Sequence, residues 1–251
     1  MHKVNVAGHT LVRGVFAVLT LAVAGGAQAA GACEAPFMHN GGSVRYQGSG
    51  NLQLGADLAF SEVTRSDAAN CRARVRGTAT FSYAGLPPSQ SKLDYLMTIR
   101  QGQATFVRYD KAGGAPGDDG PFDLRMLGLF GYDTPITKVG QRFPGGAYRL
   151  KIGKDAPIQG GGAAGTTVRI GEKTVGQQAT IDTALGRQAC WPVTYDRNSD
   201  PTFATLGSIT LPIPALITRV TDWYCPKPGL VMKQEINQAG SISTVQITQI
   251  K

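Results

Sequence analysis

The side chains able to carry acid–base or metal chemistry are few. Two of the three histidines, His2 and His9, stand at the start of the chain, which leaves His39 as the one imidazole in the remainder. A multi-histidine metal site is excluded there, and any histidine-dependent triad must run through His39. That residue lies in Phe37-Met38-His39-Asn40-Gly41-Gly42, a stretch whose composition predicts a turn with an exposed imidazole. Among the carboxylates, Asp118 and Asp119 are adjacent in a Gly/Pro-rich run and Asp123 follows. A glycosidase needs two carboxyls facing across a cleft, and a calcium loop needs alternating oxygen ligands with a distal glutamate. The spacing matches neither, so a solvated acidic turn is expected. Gly160-Gly161-Gly162 has neither the Lys-Ser/Thr nor the spaced glycines of a phosphate cradle and reads as a flexible connection.

The most distinctive charge feature is Arg72, Arg74 and Arg76. Alternate residues of a strand share a face, so this spacing stacks three guanidinium groups about 7 Å apart. Such a row grips lipid phosphates or an acidic glycan, or it stays solvated and keeps the strand from pairing with strangers.

Four cysteines, Cys33, Cys71, Cys190 and Cys225, lie far apart with no Cys-x-x-Cys pair, which speaks against zinc or redox chemistry. An even number in an exported chain predicts disulfides. Cys33 with Cys71 and Cys190 with Cys225 is the favoured pairing, because each bridge then stays inside one half of the chain.

Export is read from the first thirty or so residues. Lys3 and Arg13 precede an apolar run from Val15 to Val23, and Ala27-Gln28-Ala29-Ala30 supplies a small-x-small cleavage site. The run is about half the roughly 20 residues that a spanning helix needs. Residues 1–30 are therefore expected to be a signal peptide and residues 31–251 a single, soluble, mostly β domain in the periplasm or secreted. Lipid attachment at Cys33 is the less favoured alternative, since Ala30 stands where lipoprotein signals carry a bulkier residue. The formal charge of +8 drops by the two charges of Lys3 and Arg13 on cleavage. A basic exported chain is expected to meet anionic membrane or acidic glycan surfaces, not nucleic acid.

The elements that must position these residues are strands. The chain holds 33 Gly and 14 Pro, and its apolar residues fall mostly at period two. Leu52, Leu54, Ala56, Leu58 and Phe60 share one face. Cys71, Ala73, Val75, Gly77, Ala79, Phe81 and Tyr83 alternate with the arginines and with Thr78, Thr80 and Ser82. Gly77 is a natural place for this long strand to bend. A hairpin is expected over Leu93 to Tyr109 around Gln101-Gly102, and a strand or short helix from Phe122 to Met126. Further strands are expected at Ala147 to Ile152, Thr167 to Ile170, Ala189 to Tyr195, Ser208 to Ile213, Ala215 to Tyr224, Leu230 to Ile236 and Thr244 to Ile250. Glycine-rich loops fall near 111–120 and 159–165. Connections too short for crossover helices predict an antiparallel sheet, arranged as a sandwich, a closed barrel or a strongly curved open sheet.

Near the C-terminus, Val220-Thr221-Asp222-Trp223-Tyr224-Cys225-Pro226-Lys227-Pro228-Gly229-Leu230-Val231-Met232-Lys233-Gln234-Glu235 resembles the last hairpin of exported bacterial half-barrel proteins, the group that includes LolA/LolB-type lipoprotein carriers. Pro36-Phe37 and Gly42-Ser43-Val44-Arg45-Tyr46 resemble the opening strand of that group. The prolines and Gly229 shape a turn by themselves, with Trp223 as a core aromatic and Tyr224 as a rim aromatic on the other face. The resemblance implies a half-barrel whose apolar concave face, drawing on Leu54, Leu58, Phe60, Phe81, Tyr83, Tyr95 and Trp223, covers a lipid or a lipoprotein acyl chain. The four cysteines and the long glycine loops depart from the carriers. A non-catalytic binding protein without cofactor or metal is thus expected, with no residue assigned to catalysis. The alternatives are an envelope-polymer hydrolase working through Asp118, Asp119 or His39, and a structural or adhesive surface domain.

Overall fold

The computed structural model describes residues 31–83, 88–101, 103–109, 132, 134–150, 159–160, 166–206 and 209–251. The signal-peptide region, the 111–120 loop with Asp118 and Asp119, and the segment from Phe122 to Met126 lie outside the described residues.

A short 3-10 turn at Ala32–Glu34 precedes seventeen strands among the described residues. The first five are β1 (Ser43–Ser49), β2 (Leu52–Arg65), β3 (Cys71–Tyr83), β4 (Ser89–Arg100) and β5 (Gln103–Arg108). Short strands follow at β6 (Arg142–Phe143), β7 (Gly146–Leu150), β8 (Gln159–Gly160), β9 (Thr166–Ile170), β10 (Lys173–Val175) and β11 (Ala179–Thr183). The last six are β12 (Gly186–Ser199), β13 (Thr202–Leu206), β14 (Ile209–Ile213), β15 (Leu216–Cys225), β16 (Leu230–Gln238) and β17 (Ser241–Ile250).

Among the described residues, fourteen strands form one antiparallel sheet whose main path runs β5-β4-β3-β2-β1-β17-β16-β15-β12-β10-β6. The ends of that path, β5 and β6, do not pair, so the sheet is open and the closed-barrel alternative is set aside. A smaller sheet holds β14, β13 and β8. The N-terminal and C-terminal halves join where β1 pairs with β17. This long-range closure is invisible to local periodicity.

The strands form where alternation is strongest. In β3, Cys71, Ala73, Val75 and Ala79 are buried while Arg72 and Arg76 are exposed. Gly77 is needed less for bending than for closeness: a Cβ there would meet the Asp57 carbonyl oxygen at 1.9 Å. The β16–β17 hairpin turns through Ala239 at φ 49° and Gly240 at φ 87°, the paired left-handed conformation that two-residue hairpins favour.

The larger core gathers Leu54, Leu58, Phe60, Val75, Leu93, Tyr95 and Met97 from β2 to β4 with Cys33, Phe37 and Met38 from the N-terminal segment. Phe37 stacks on Phe60 with ring centroids 4.7 Å apart, and the Cys33–Cys71 disulfide ties the segment to the start of β3. Fully burying one such side chain stabilises by about 1.5–3 kcal/mol. A second core joins Ile136, Phe143, Val175, Val193, Tyr224 and Val231. The second disulfide, Cys190–Cys225, clamps β12 to β15, so both expected pairings are present.

Candidate functional site

The arginine row leads to a surface groove. Strand pairing sets Arg76 opposite Ala59 on β2 and Asp94 on β4, and Arg74 reaches the same aspartate diagonally. Arg74 Nε donates to Asp94 Oδ1 at 2.9 Å and Arg74 Nη2 to Oδ2 at 2.8 Å, the two-pronged geometry that a guanidinium offers a carboxylate. Arg74 Nη1 also donates to Glu62 Oε1 at 3.3 Å. The guanidinium carbon lies 3.5 Å from the centroid of the Tyr109 ring, a cation–π contact, and Tyr109 Oη donates to Glu62 Oε2 at 3.2 Å.

Glu62 reaches this cluster because the β2–β3 register slips between Ser61 and Thr64. The extra residue takes φ 53° at Glu62, and a bulge of this kind re-aims a side chain. The Arg74 hydrogen bonds are the main reason the Asp94 carboxyl is held below the usual carboxylate range, outweighing its partial desolvation. Asp94 in turn raises the guanidinium above its ordinary value.

Beside this clamp opens a groove of about 870 Å³ lined by Arg74, Arg76, Lys92, Arg108, Asp57 and Asp94 among others. Arg76 and Lys92 are exposed and make no ion pair among the described residues. Asp57 is held by Arg45 from β1. The three arginines therefore differ in what they can do: Arg74 is committed to the protein, while Arg72 and Arg76 face solvent.

Of the apolar residues expected to line a concave face, Leu54, Leu58, Phe60 and Tyr95 are brought together, all buried within one packed cluster. Trp223 packs against the same cluster while partly buried, and its buried Nε1 has no hydrogen-bond partner. Phe81 and Tyr83 lie in β3, and their side chains are outside the described residues. The expected roles within the C-terminal hairpin are corrected: Tyr224, 1 % exposed, is the core aromatic, and Trp223 is the partly buried one. The cause is the alternation of β15, in which Thr218, Val220, Asp222 and Tyr224 share the buried face, and Tyr224 thereby enters the second core. There the same burial pushes its hydroxyl up to about 12.

Sequence reasoning missed a buried polar cluster in the second half. Asp222 Oδ2 accepts from Tyr132 Oη at 2.7 Å, and Oδ1 accepts from Gln234 Nε2 at 2.7 Å and Tyr195 Oη at 3.4 Å. Lys173 Nζ sits 4.9 Å from the ring centroids of both Tyr132 and Tyr195. Burial first, and the nearby Asp222 second, push both phenols well above their ordinary value. With donors on both oxygens, Asp222 is built to fasten the Tyr132 segment to the sheet. One signal was available: Asp222 and Gln234 occupy inward positions in the alternation of β15 and β16, where a polar residue needs a partner.

His39 is exposed, its Nδ1 3.2 Å from the Asn40 carbonyl oxygen. Among the described residues no three His, Cys, Asp or Glu side chains are grouped to hold a metal ion. Asp123 lies outside the described residues with Asp118 and Asp119.

No family model matches the chain, and no curated protein matches it. Among solved structures, it is similar to a candidate exported protein with a YmcC-like fold from Bacteroides fragilis, at 13% identity and a TM-score of 0.49, over 85% of this chain and 96% of that one. It is also similar to a candidate lipoprotein from Parabacteroides distasonis, at 11% identity and a TM-score of 0.43, over 85% and 96% of the two chains. The hypothetical lipoprotein YmcC from Escherichia coli matches at 8% identity and a TM-score of 0.28, over 85% and 86%. Likeness this distant assigns no ligand and no role to this chain.

Proposed function

We propose that this chain is a non-catalytic binding protein of the bacterial envelope that holds an anionic ligand, a phosphate-bearing headgroup or an acidic glycan, in the groove across β2 to β5. The observation that carries the reading is the division of labour among cations. Arg74 is locked by Asp94, Glu62 and Tyr109, which makes a rigid wall, while Arg76 and Lys92 stand exposed beside it with free charge. Preorganised walls with mobile cations at the rim suit an anion that keeps part of its water.

The envelope location rests on the leader-like residues 1–30 and on two disulfides, which persist in oxidising compartments. Cys33 is fully buried and bonded to Cys71. A sulfur so engaged cannot also carry a lipid thioether, which favours a cleaved, unlipidated chain.

The test is isothermal titration of the purified protein with soluble phosphatidylglycerol headgroup analogues and with an acidic oligosaccharide. Arg76→Glu together with Lys92→Glu is expected to abolish saturable binding, and Arg72→Glu to leave it nearly intact. Equal affinity of the wild type and the double variant would sink the groove reading.

A second reading, shelter of an apolar chain against the first core, draws on a separate observation: the buried Tyr46 Oη and Trp223 Nε1 both lack partners. Buried unpaired polar atoms are uncommon and call for an explanation. Extraction of lipid from protein purified out of the periplasm tests it, and protein free of lipid and of hydrophobic-dye binding would overturn it.

A further inference from the structure

Gly55 lies in the interior of β2, where a glycine weakens the strand and often marks a bulge or a close approach by a backbone or a ligand. The β2–β3 pairing runs past Gly55 without a slip, so no bulge is present. At Gly77 the approaching group is backbone, since an added Cβ would meet the Asp57 carbonyl oxygen at 1.9 Å. At Gly55 the one described neighbour within 4 Å of an added Cβ is the Thr80 Cβ, at 3.9 Å, an ordinary contact. Gly55 also stays out of the left-handed region. Neither packing nor backbone conformation requires this glycine, and what it leaves is a gap on the surface.

The register places that gap. Gly55 pairs with Thr80 of β3 and with Gln47 of β1, Thr80 with Gln90 of β4, and Gln47 with Gln246 of β17. Directly paired residues share a face, so these five form one row on the side away from the buried Leu54 and Ala56. With neighbouring strands about 4.8 Å apart, the row is about 19 Å long. It starts in the groove, which Gln90 lines together with Arg76 and Lys92, and ends beyond the gap on Gln47 and Gln246, both exposed. Amides and hydroxyls each donate and accept hydrogen bonds. Such a row matches a chain of hydroxyl groups. It holds no apolar side chain for an acyl tail and no cation for a phosphate.

We propose that the anion held in the groove is one end of a linear acidic polysaccharide that lies across the strands. Its uronate carboxylates meet Arg76 and Lys92, and the chain passes over Gly55 to Gln47 and Gln246. This ligand class rests on the anionic reading of the groove and narrows it from a phosphate-bearing headgroup to a glycan chain. Asp57 and Asp94 support the choice, since each carboxylate keeps acceptor capacity beyond its arginine partner. That capacity suits sugar hydroxyls and opposes a doubly charged phosphate.

The experiment is isothermal titration with digalacturonate, hexagalacturonate and glycerol phosphate. The hexamer is expected to bind about tenfold or more tightly than the dimer, and glycerol phosphate more weakly than the hexamer. Gly55→Val adds no charge and should narrow the hexamer's advantage to less than about threefold. It should not lower the urea midpoint, because valine suits a strand and meets no close atom there. Gln246→Glu, at the exposed far end, should narrow the advantage too, and it decides the matter if Gly55→Val unfolds. Equal affinity for the two oligomers, an advantage that the folded variants retain, or tighter binding of glycerol phosphate overturns the polysaccharide. The groove reading survives that result if Arg76→Glu with Lys92→Glu abolishes binding of glycerol phosphate. Absence of binding by all three probes overturns both.

Discussion

Arg74 and Asp94 meet across β3 and β4 through two near-parallel hydrogen bonds of 2.9 and 2.8 Å. Both groups face solvent to some degree, with side-chain exposures of 21% and 45%, so the pair matters more for fixing the groove wall than for global stability. Its pH dependence has a definite sign. The folded Asp94 carboxyl titrates below its unfolded value because Arg74 hydrogen-bonds the charged form. The stabilisation is therefore complete above the ordinary aspartate value of about 3.9 and is lost as pH falls through the lower folded value. In an NMR titration the Asp94 carboxyl should shift with a midpoint below that of a peptide aspartate, and Arg74→Gln should restore the peptide value.

Gly77 tests the closeness of β2 and β3. Gly77→Ala places a Cβ against the Asp57 carbonyl oxygen at 1.9 Å, and backbone on both sides must shift. A loss of about 1–3 kcal/mol is expected, read from urea denaturation. Gly146→Ala, where nothing lies within 4 Å of the added atom, should change stability by less than about 0.5 kcal/mol.

Leu58 distinguishes packing from ligand lining. It is 2% exposed within the larger core, so Leu58→Ala should cost about 2–5 kcal/mol in denaturant unfolding. A variant with wild-type stability but weakened lipid retention would instead assign Leu58 to a ligand surface.

The Cys33–Cys71 bridge spans a sequence separation of 38. Its removal by paired Cys→Ser substitution should lower stability by about 2–4 kcal/mol and loosen Phe37 from Phe60. Intact mass of the protein recovered from the envelope should correspond to an oxidised chain without acyl groups; an added diacylglyceryl mass would refute the bonded state of Cys33.

Asp222 is 4% exposed and collects donors from three side chains. Asp222→Ala would strand Tyr132 Oη and Gln234 Nε2 in the interior and should cost about 2–4 kcal/mol. Tyr132→Phe, removing a single donor, should cost less, about 0.5–1.5 kcal/mol. Thermal unfolding of the two variants side by side checks the order.

Particular residues show how far the sequence could be read. The alternation from Cys71 to Tyr83 yields β3 because period two is a local property of the chain. Cys190 and Cys225 could be paired by staying within one half. Of the paired strands β13 and β14, the second was expected, while the first, Thr202–Leu206, was not, because Thr and Ala next to a glycine give little alternation. The register slip between Ser61 and Thr64 that aims Glu62 at Arg74 follows from how β2 pairs with β3, and a slip in pairing leaves no mark on composition.

By itself, then, the sequence determined strands, their wet and dry faces and the scarcity of catalytic side chains. All of these depend on residue type and short-range spacing. Only the tertiary structure decided that β1 closes against β17, that Arg74 is locked while Arg76 is free, and that Tyr224 is the buried aromatic. It also decided that Tyr132, Tyr195 and Gln234 converge on Asp222. Each of these joins residues far apart in the chain or hangs on a one-residue register slip, and pairing energy between strands, not local preference, sets both.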